Sequence, residues 1–315
     1  MQIAIPLGIG VLLIWYMYSL STPEQRQQIY IHMKEADYWI VAVSVAFSVI
    51  SHLIRAYRWN LMLEPMGYKP KLANNFMAVS VAYMLNLFIP KSGEVSRAII
   101  HKKYENIPFD KGFGTIISER VVDLIFLGLF TAAALFLQFD ALFNYITGSI
   151  PVMKLLLALA ALLVLAIVFY LFLKRSKGAL AKRIRLFMNG LKEGLFSILR
   201  MKRKGYFIWL SLLIWMLYIA SFYVATKALP ETSSIEAGVI IITFVVGSFT
   251  FAFTNSGFGY YPVAIMGILL LFGIAETAGF AFGTIVWTSN IISILFFGVL
   301  SMVLLPIYNR SRKEK

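Results

Sequence analysis

Six stretches of this chain are predominantly apolar over eighteen or more residues, near 3–20, 38–57, 113–137, 150–173, 206–227 and 278–305. A helix needs about 20 such residues to cross the hydrocarbon core of a bilayer. Of the 315 residues, 60% are hydrophobic and 14% charged, whereas a soluble domain carries roughly 25% charged residues. The alternating strands of a membrane barrel are absent. The expected class is an all-α polytopic membrane protein. The first run has no Lys or Arg ahead of it, so an uncleaved span is expected rather than a signal peptide.

Two further stretches, about 72–104 and 237–275, are apolar but broken. The first break holds Asn86, Pro90, Lys91, Gly93, Glu94 and Arg97; the second holds Thr254, Asn255, Ser256, Gly257 and Gly259. Lipid tolerates broken backbone and ionised side chains only where protein or a polar cavity surrounds them. These breaks therefore mark the candidate working parts.

The net charge of +14 is distributed by position. Basic residues collect at 55–71, at 102–111, at 310–315, and most densely at 174–204, where eleven lie. The positive-inside rule places 58–71, 102–112, 174–205 and the C-terminus in the cytoplasm. Nucleic acid is not an expected partner. Both flanks of 72–104 then lie inside and both flanks of 237–275 outside. Each stretch is expected to enter and return on one side as a re-entrant hairpin, with tips at Pro90 and Gly93 and at Asn255, Gly257 and Gly259. Proline and glycine suit such a turn. The halves read as an inverted repeat of span, hairpin and span, about eight membrane segments in all, a recurrent transporter design.

A single domain over 1–315 is expected. It comprises a first span and external helix (1–37), a first half (38–137), a linking span (150–173), a basic amphipathic cytoplasmic segment (174–205) and a second half (206–305). In the basic segment Leu180, Ile184, Phe187 and Leu191 recur at helical spacing among Lys and Arg, which suits an anionic leaflet. Thr22, Pro23 and Glu24 form a helix-start signature for a short helix to about Glu35.

Glu94 and Arg97 flank the first break, and Glu119, Arg120 and Asp123 open the 113–137 run. Ions at such depth should pair. Two readings stay open: a neutralising network that staples hairpin to span, or a site where Lys91, Arg97 and Arg120 face an anionic headgroup, guanidinium matching phosphate bidentately. Three cations stand against three acids, so no surplus is visible. Arg55, Arg58 and Trp59 read as topology charges with an interfacial aromatic, although Arg58 joins the candidate set below. Gly279 and Gly283 form a GxxxG pattern for close helix packing. There are no cysteines, and His32, His52 and His101 have no ligand spacing, so neither a metal nor another cofactor is expected. Nucleotide-binding and hydrolase motifs are absent.

Arg58–Trp59, then Asn86, Pro90 to Glu94 and Arg97, then Glu119–Arg120 and Asp123, resemble the signature of the lysylphosphatidylglycerol synthase transmembrane region, a flippase-like domain of bacterial and archaeal membranes. The resemblance covers nearly the whole chain. It implies movement between leaflets of an anionic or aminoacylated phospholipid, or of a polyprenyl-phosphate-linked lipid, without catalysis. It implies a substrate site of Arg58, Asn86, Lys91, Glu94, Arg97, Glu119, Arg120 and Asp123, and localisation in the cell (inner) membrane. The chain ends at Lys315 without a transferase domain, so lipid aminoacylation is not expected. The second break lacks the acid that the family carries there. Rival expectations are an intramembrane enzyme acting on a lipid phosphate with Glu94, Glu119 or Asp123 as acid or base, an ion-coupled carrier of a small anion, and a non-transporting scaffold whose basic cytoplasmic segment recruits partners.

Overall fold

The computed structural model describes residues 21–140, 201–254 and 256–310, with Ser19, Leu171 and Gly178 besides. The expected spans near 3–20 and 150–173 and most of the basic segment 174–205 lie outside the described residues, as does Asn255. Nine α-helices and no strand occur among the described residues: α1 (Pro23–Glu35), α2 (Tyr38–Leu63), α3 (Leu72–Phe88), α4 (Ser92–Glu105), α5 (Phe109–Leu137), α6 (Lys204–Thr226), α7 (Ala237–Phe253), α8 (Tyr260–Leu271) and α9 (Glu276–Tyr308). Four are long and apolar enough to cross a membrane, namely α2, α5, α6 and α9.

Local chemistry sets several helix ends. Thr22 and Gln25 close a capping box on α1, as the Thr-Pro-Glu signature predicts. Asp37 caps α2 by accepting from Trp39 N at 2.9 Å and Ile40 N at 3.3 Å. The spans turn oil outward: Trp39 is 77% exposed and Phe136 85%. Meanwhile Arg55, Arg58, Arg97 and Glu119 are buried. That inversion of the soluble pattern suits a molecule whose solvent is lipid. This is a multi-pass helical membrane protein.

The two hairpins enter from opposite ends. At one end Arg203 approaches Glu64 at 3.9 Å, Lys71 N donates to Glu105 Oε1 at 3.1 Å, and Asn74 and Asn309 exchange hydrogen bonds at 2.8 and 3.0 Å. This end gathers the basic stretches 69–71, 102–111 and 202–204, as their charge predicts. At the other end Asp37 N donates to Ala228 O at 2.9 Å, and Thr277 lies 3.5 Å from both Gln28 and His32. The α3–α4 hairpin opens at the basic end and the α7–α8 hairpin at the opposite one. Their tips meet where Ser256 Oγ donates to Asn86 O at 3.5 Å.

Packing between the halves is exchanged. α2 lies along α6; α9, which closes the second half, lies on α3; and α5, which closes the first, lies on α7. Gly298 lets α9 approach α3, since a Cβ there would sit 2.4 Å from Met84 Cβ. The Gly279–Gly283 pattern does the same against α8, where a Cβ on Gly283 would stand 2.8 Å from Pro262 Cα.

The tips are built differently. In the first, Lys91 takes the left-handed turn at φ 62°, not Gly93. Gly93 sits in the first turn of α4 for another reason: a Cβ there would meet Ala82 O at 2.3 Å and the Asn86 amide at 2.7 Å. The expected role of Gly93 as the flexible turn residue is thus corrected to one of close approach. The second tip turns on Ser256, Gly257 and Gly259, all at positive φ, as its glycines predict. Trp287 of α9 pins it by donating to Ser256 O at 2.9 Å.

Candidate headgroup site

α2, α4 and α5 project their charged residues into one cluster beside α3 and α6. Its hub is Glu119, fully buried at 0% exposure. Arg55 Nη1 reaches Glu119 Oε1 at 2.5 Å and Asp123 Oδ2 at 2.6 Å. Arg97 grips Glu119 with both terminal nitrogens, at 3.3 and 3.0 Å. Arg120 Nη2 donates to Glu119 Oε1 at 3.0 Å and lies 3.6 Å from Asp123. Arg58 donates to Ser211 at 2.6 Å and Asp123 at 3.2 Å, and lies 3.5 Å from Glu119. Four guanidiniums therefore converge on one carboxylate.

Aromatic and amide groups hold the arginines. The Arg97 guanidinium lies 4.0 Å from the centre of the Trp59 ring, and Trp59 stacks on His101 at 3.7 Å. Trp59 Nε1 donates to Thr115 at 2.8 Å, and His101 Nε2 meets Asn75 Oδ1 at 2.7 Å. Arg58 lies 5.2 Å from the Phe207 ring centre. Cation–π contacts in a desolvated site stabilise by about 2 kcal/mol.

The reading of Arg55, Arg58 and Trp59 as topology residues at a membrane interface is overturned. α2 runs on to Leu63 rather than ending at 57, so these residues lie inside the helix and are buried. Arg97 pairs with Glu119, not with its neighbour Glu94. Lys91 is exposed at the tip, forms no ion pair among the described residues, and stays outside the cluster. Asn86 serves the hairpin, accepting from Gly93 N at 2.8 Å and reaching Glu94 at 3.5 Å. The balance thus changes from three against three to four cations, Arg55, Arg58, Arg97 and Arg120, against three acids, Glu94, Glu119 and Asp123.

The cluster has two layers. Arg55, Arg58, Arg97 and Glu119 are sealed, their side chains at most 4% exposed. Arg120 at 37%, Glu94 at 21% and Asp123 at 12% form the open face. Glu94 is loosely held, 4.0 Å from Arg120 Nε. The Nε donors of all four arginines are buried without an acceptor among the described residues. Arg55 and Arg58 stand roughly 12 and 8 Å from the basic end of α2 at 1.5 Å per residue. The cluster therefore lies between the hairpin tip at Ser92 and the basic end of the molecule.

The family model of the lysylphosphatidylglycerol synthase transmembrane region matches residues 3–310. The chain belongs to that family. It is 33% identical over 92 residues to a protein of Haloferax volcanii named glycosyltransferase AglD, covering 29% of this chain and 15% of that one. It is 29% identical over 94 residues to a UPF0104 membrane protein of Methanocaldococcus jannaschii, covering 29% of this chain and 28% of that one. A UPF0104 membrane protein of Pyrococcus horikoshii is 30% identical over 97 residues, covering 30% and 29%. The matched stretch thus spans less than a third of each curated relative's length. No solved structure matches the chain. The lysylphosphatidylglycerol synthase model describes a membrane region, in keeping with the helices seen here.

Proposed function

We propose that this chain moves an anionic lipid, a phospholipid or a polyprenyl-phosphate-linked lipid, between leaflets, and that it does so without catalysis. The observation that carries the reading is the cluster's charge. Four guanidiniums face three carboxylates in a buried site. An uncompensated ion in such surroundings costs several kcal/mol, and a phosphate monoanion would bring the sum to zero. Arg120, the most exposed of the four guanidiniums, forms the receiving face. Arg55, Arg58 and Arg97 act through Glu119, holding it so that Arg120 stays oriented. Glu94 and Asp123 border the face and would accept hydrogen bonds from hydroxyls or an amine on the same headgroup. The hydrocarbon tails stay in the bilayer.

In this reading the basic end faces the cytoplasm of a cell membrane, by the positive-inside rule, and the lipid enters from that leaflet. The test uses purified protein in phosphatidylcholine vesicles carrying fluorescent phosphatidylglycerol, with a membrane-impermeant quencher reporting the leaflet. Arg120→Ala is expected to slow lipid movement about tenfold or more, as for one lost charge-assisted contact of at least 1.4 kcal/mol. An unchanged rate would remove the role given to the cluster.

The Haloferax relative is named a glycosyltransferase, which favours a second reading, an enzyme; on this chain we would then assign Glu94 or Asp123 as acid or base toward a lipid phosphate. Mass spectrometry of lipids incubated with the protein separates the two. New covalent products support the enzyme; intact lipid in the opposite leaflet supports the translocase.

A further inference from the structure

The face of α5 that carries Glu119 and Asp123 continues as Phe126 and Phe130, roughly 4.5 and 10.5 Å beyond Asp123 along the helix at 1.5 Å per residue. These two rings stack on Trp215 of α6, at 6.5 and 5.6 Å between centres. Tyr218 and Phe244 meet the same indole edge-on, each at 6.3 Å. Trp215 is only 7% exposed, yet its Nε1 has no hydrogen-bond partner among the described residues. By contrast Trp59 donates to Thr115 and Trp287 to Ser256 O. A buried indole N–H normally finds an acceptor, because a bare donor has given up its water for nothing. Stacking alone would be met by phenylalanine.

Beside this indole an apolar groove of about 210 Å³ runs between α6 and α7, lined by Ile219, Ala220 and Tyr223 of α6 and by Ile240 and Ile241 of α7. Ile219 stands one turn from Trp215, and Ile240 and Ile241 one turn from Phe244, so groove and indole adjoin on both helices. α7 packs more on α5 and α8 than on α6, which makes the line of the groove the looser joint around the indole. From the basic end outward the order is charge, one bare donor, then hydrocarbon. A lipid of that leaflet has the same order: phosphate, glycerol esters, chain. An ester-linked phospholipid carries carbonyl acceptors just past its phosphate. A dialkyl lipid has only weakly accepting ether oxygens there, and a polyprenyl phosphate has only hydrocarbon.

We infer that the site selects an ester-linked glycerophospholipid: Trp215 Nε1 donates to an ester carbonyl while one acyl chain lies in the α6–α7 groove. The inference rests on the headgroup reading above and decides between the two lipid classes left open there. With the phosphate on Arg120, the glycerol falls level with Phe126 and Trp215. The chain enters by parting α7 from α6 along the groove, and the same opening uncovers the indole. Trp215 thus reads the linkage, where the arginine cluster reads only the charge.

Competition binding to the full chain in detergent tests this. Fluorescent phosphatidylglycerol is displaced by unlabelled diester phosphatidylglycerol, by its dialkyl ether analogue of equal chain length, or by a polyprenyl phosphate. The diester is expected to bind about five- to tenfold more tightly than the diether, as for one hydrogen bond to a buried donor. Equal affinities, or a polyprenyl phosphate bound more tightly than the diester, overturn the proposal without recourse to any variant. Trp215→Phe keeps the ring stack and is expected to bring diester and diether within about twofold by weakening the diester alone. A preference that survives this change makes the indole a packing group and overturns the proposal. Ala220→Phe fills the groove and is expected to weaken both lipids about tenfold; unchanged affinity takes the chain out of the groove and overturns it too. Equal affinities with lipid movement intact in vesicles would defeat this inference alone. A diester preference lost in Trp215→Phe, with no lipid movement in vesicles, would support it and defeat the translocase reading alone.

Discussion

The two hairpins share a topology and differ in what holds them. The α3–α4 hairpin is fixed by side chains: Asn86 clasps Gly93, and Arg97 ties α4 to α5 through Glu119. The α7–α8 hairpin is fixed by backbone: three residues at positive φ make its turn, and Trp287 grips a main-chain carbonyl. Ionised groups gather around the first hairpin, and the second presents hydroxyls, aromatics and glycines. An inverted repeat need not duplicate a site. One half can carry the chemistry while the other supplies a neutral counterface of matching shape.

That contrast can be broken by experiment, and the largest effect belongs to the hub. Glu119→Gln leaves buried guanidiniums uncompensated and is expected to cost about 3–5 kcal/mol, seen as a fall in Tm in detergent. A loss equal to that of any single change at the second tip would erase the distinction. Next comes Gly93→Ala, whose methyl must displace the backbone carbonyl of Ala82; overpacking of this kind costs about 1–3 kcal/mol. Gly257→Ala places a side chain at φ 75° and is expected to cost about 1–2 kcal/mol. Trp287→Phe removes one hydrogen bond, about 1 kcal/mol, and should leave lipid movement within twofold. The smallest effect is at Lys91, held at φ 62° outside the cluster. Lys91→Gly relieves left-handed strain while loosening the unfolded chain, so stability should change by less than about 1 kcal/mol. Lipid movement should persist; its loss would return Lys91 to the site.

Much of the architecture was legible because it follows local rules. Apolar run lengths located the four described spans, the breaks located both tips, and the GxxxG spacing marked the face of α9 that packs closely, though not its partner α8. The site was legible only in outline. Glu119, Arg120, Asp123, Glu94 and Arg97 stand out as ions in apolar surroundings. Arg55 and Arg58 did not, because basic residues at the end of an apolar run look the same whether the helix stops there or continues. Here α2 continues through Leu63, and two further turns carry the arginines inward. Pairing across helices was likewise hidden: proximity in sequence suggests Glu94 for Arg97, while the fold supplies Glu119. At Gly93 residue type suggested a turn, but the neighbour that forbids a Cβ, Ala82 O, is visible only once α3 and α4 are packed.

The crossed arrangement of closing spans has a mechanical consequence. α5 leans on the hairpin of the opposite half and α9 on the first, so neither half owns all of its own walls. A displacement of either hairpin would be passed to the closing span of the other half. The two halves are therefore braced as one unit, each wall shared across the repeat.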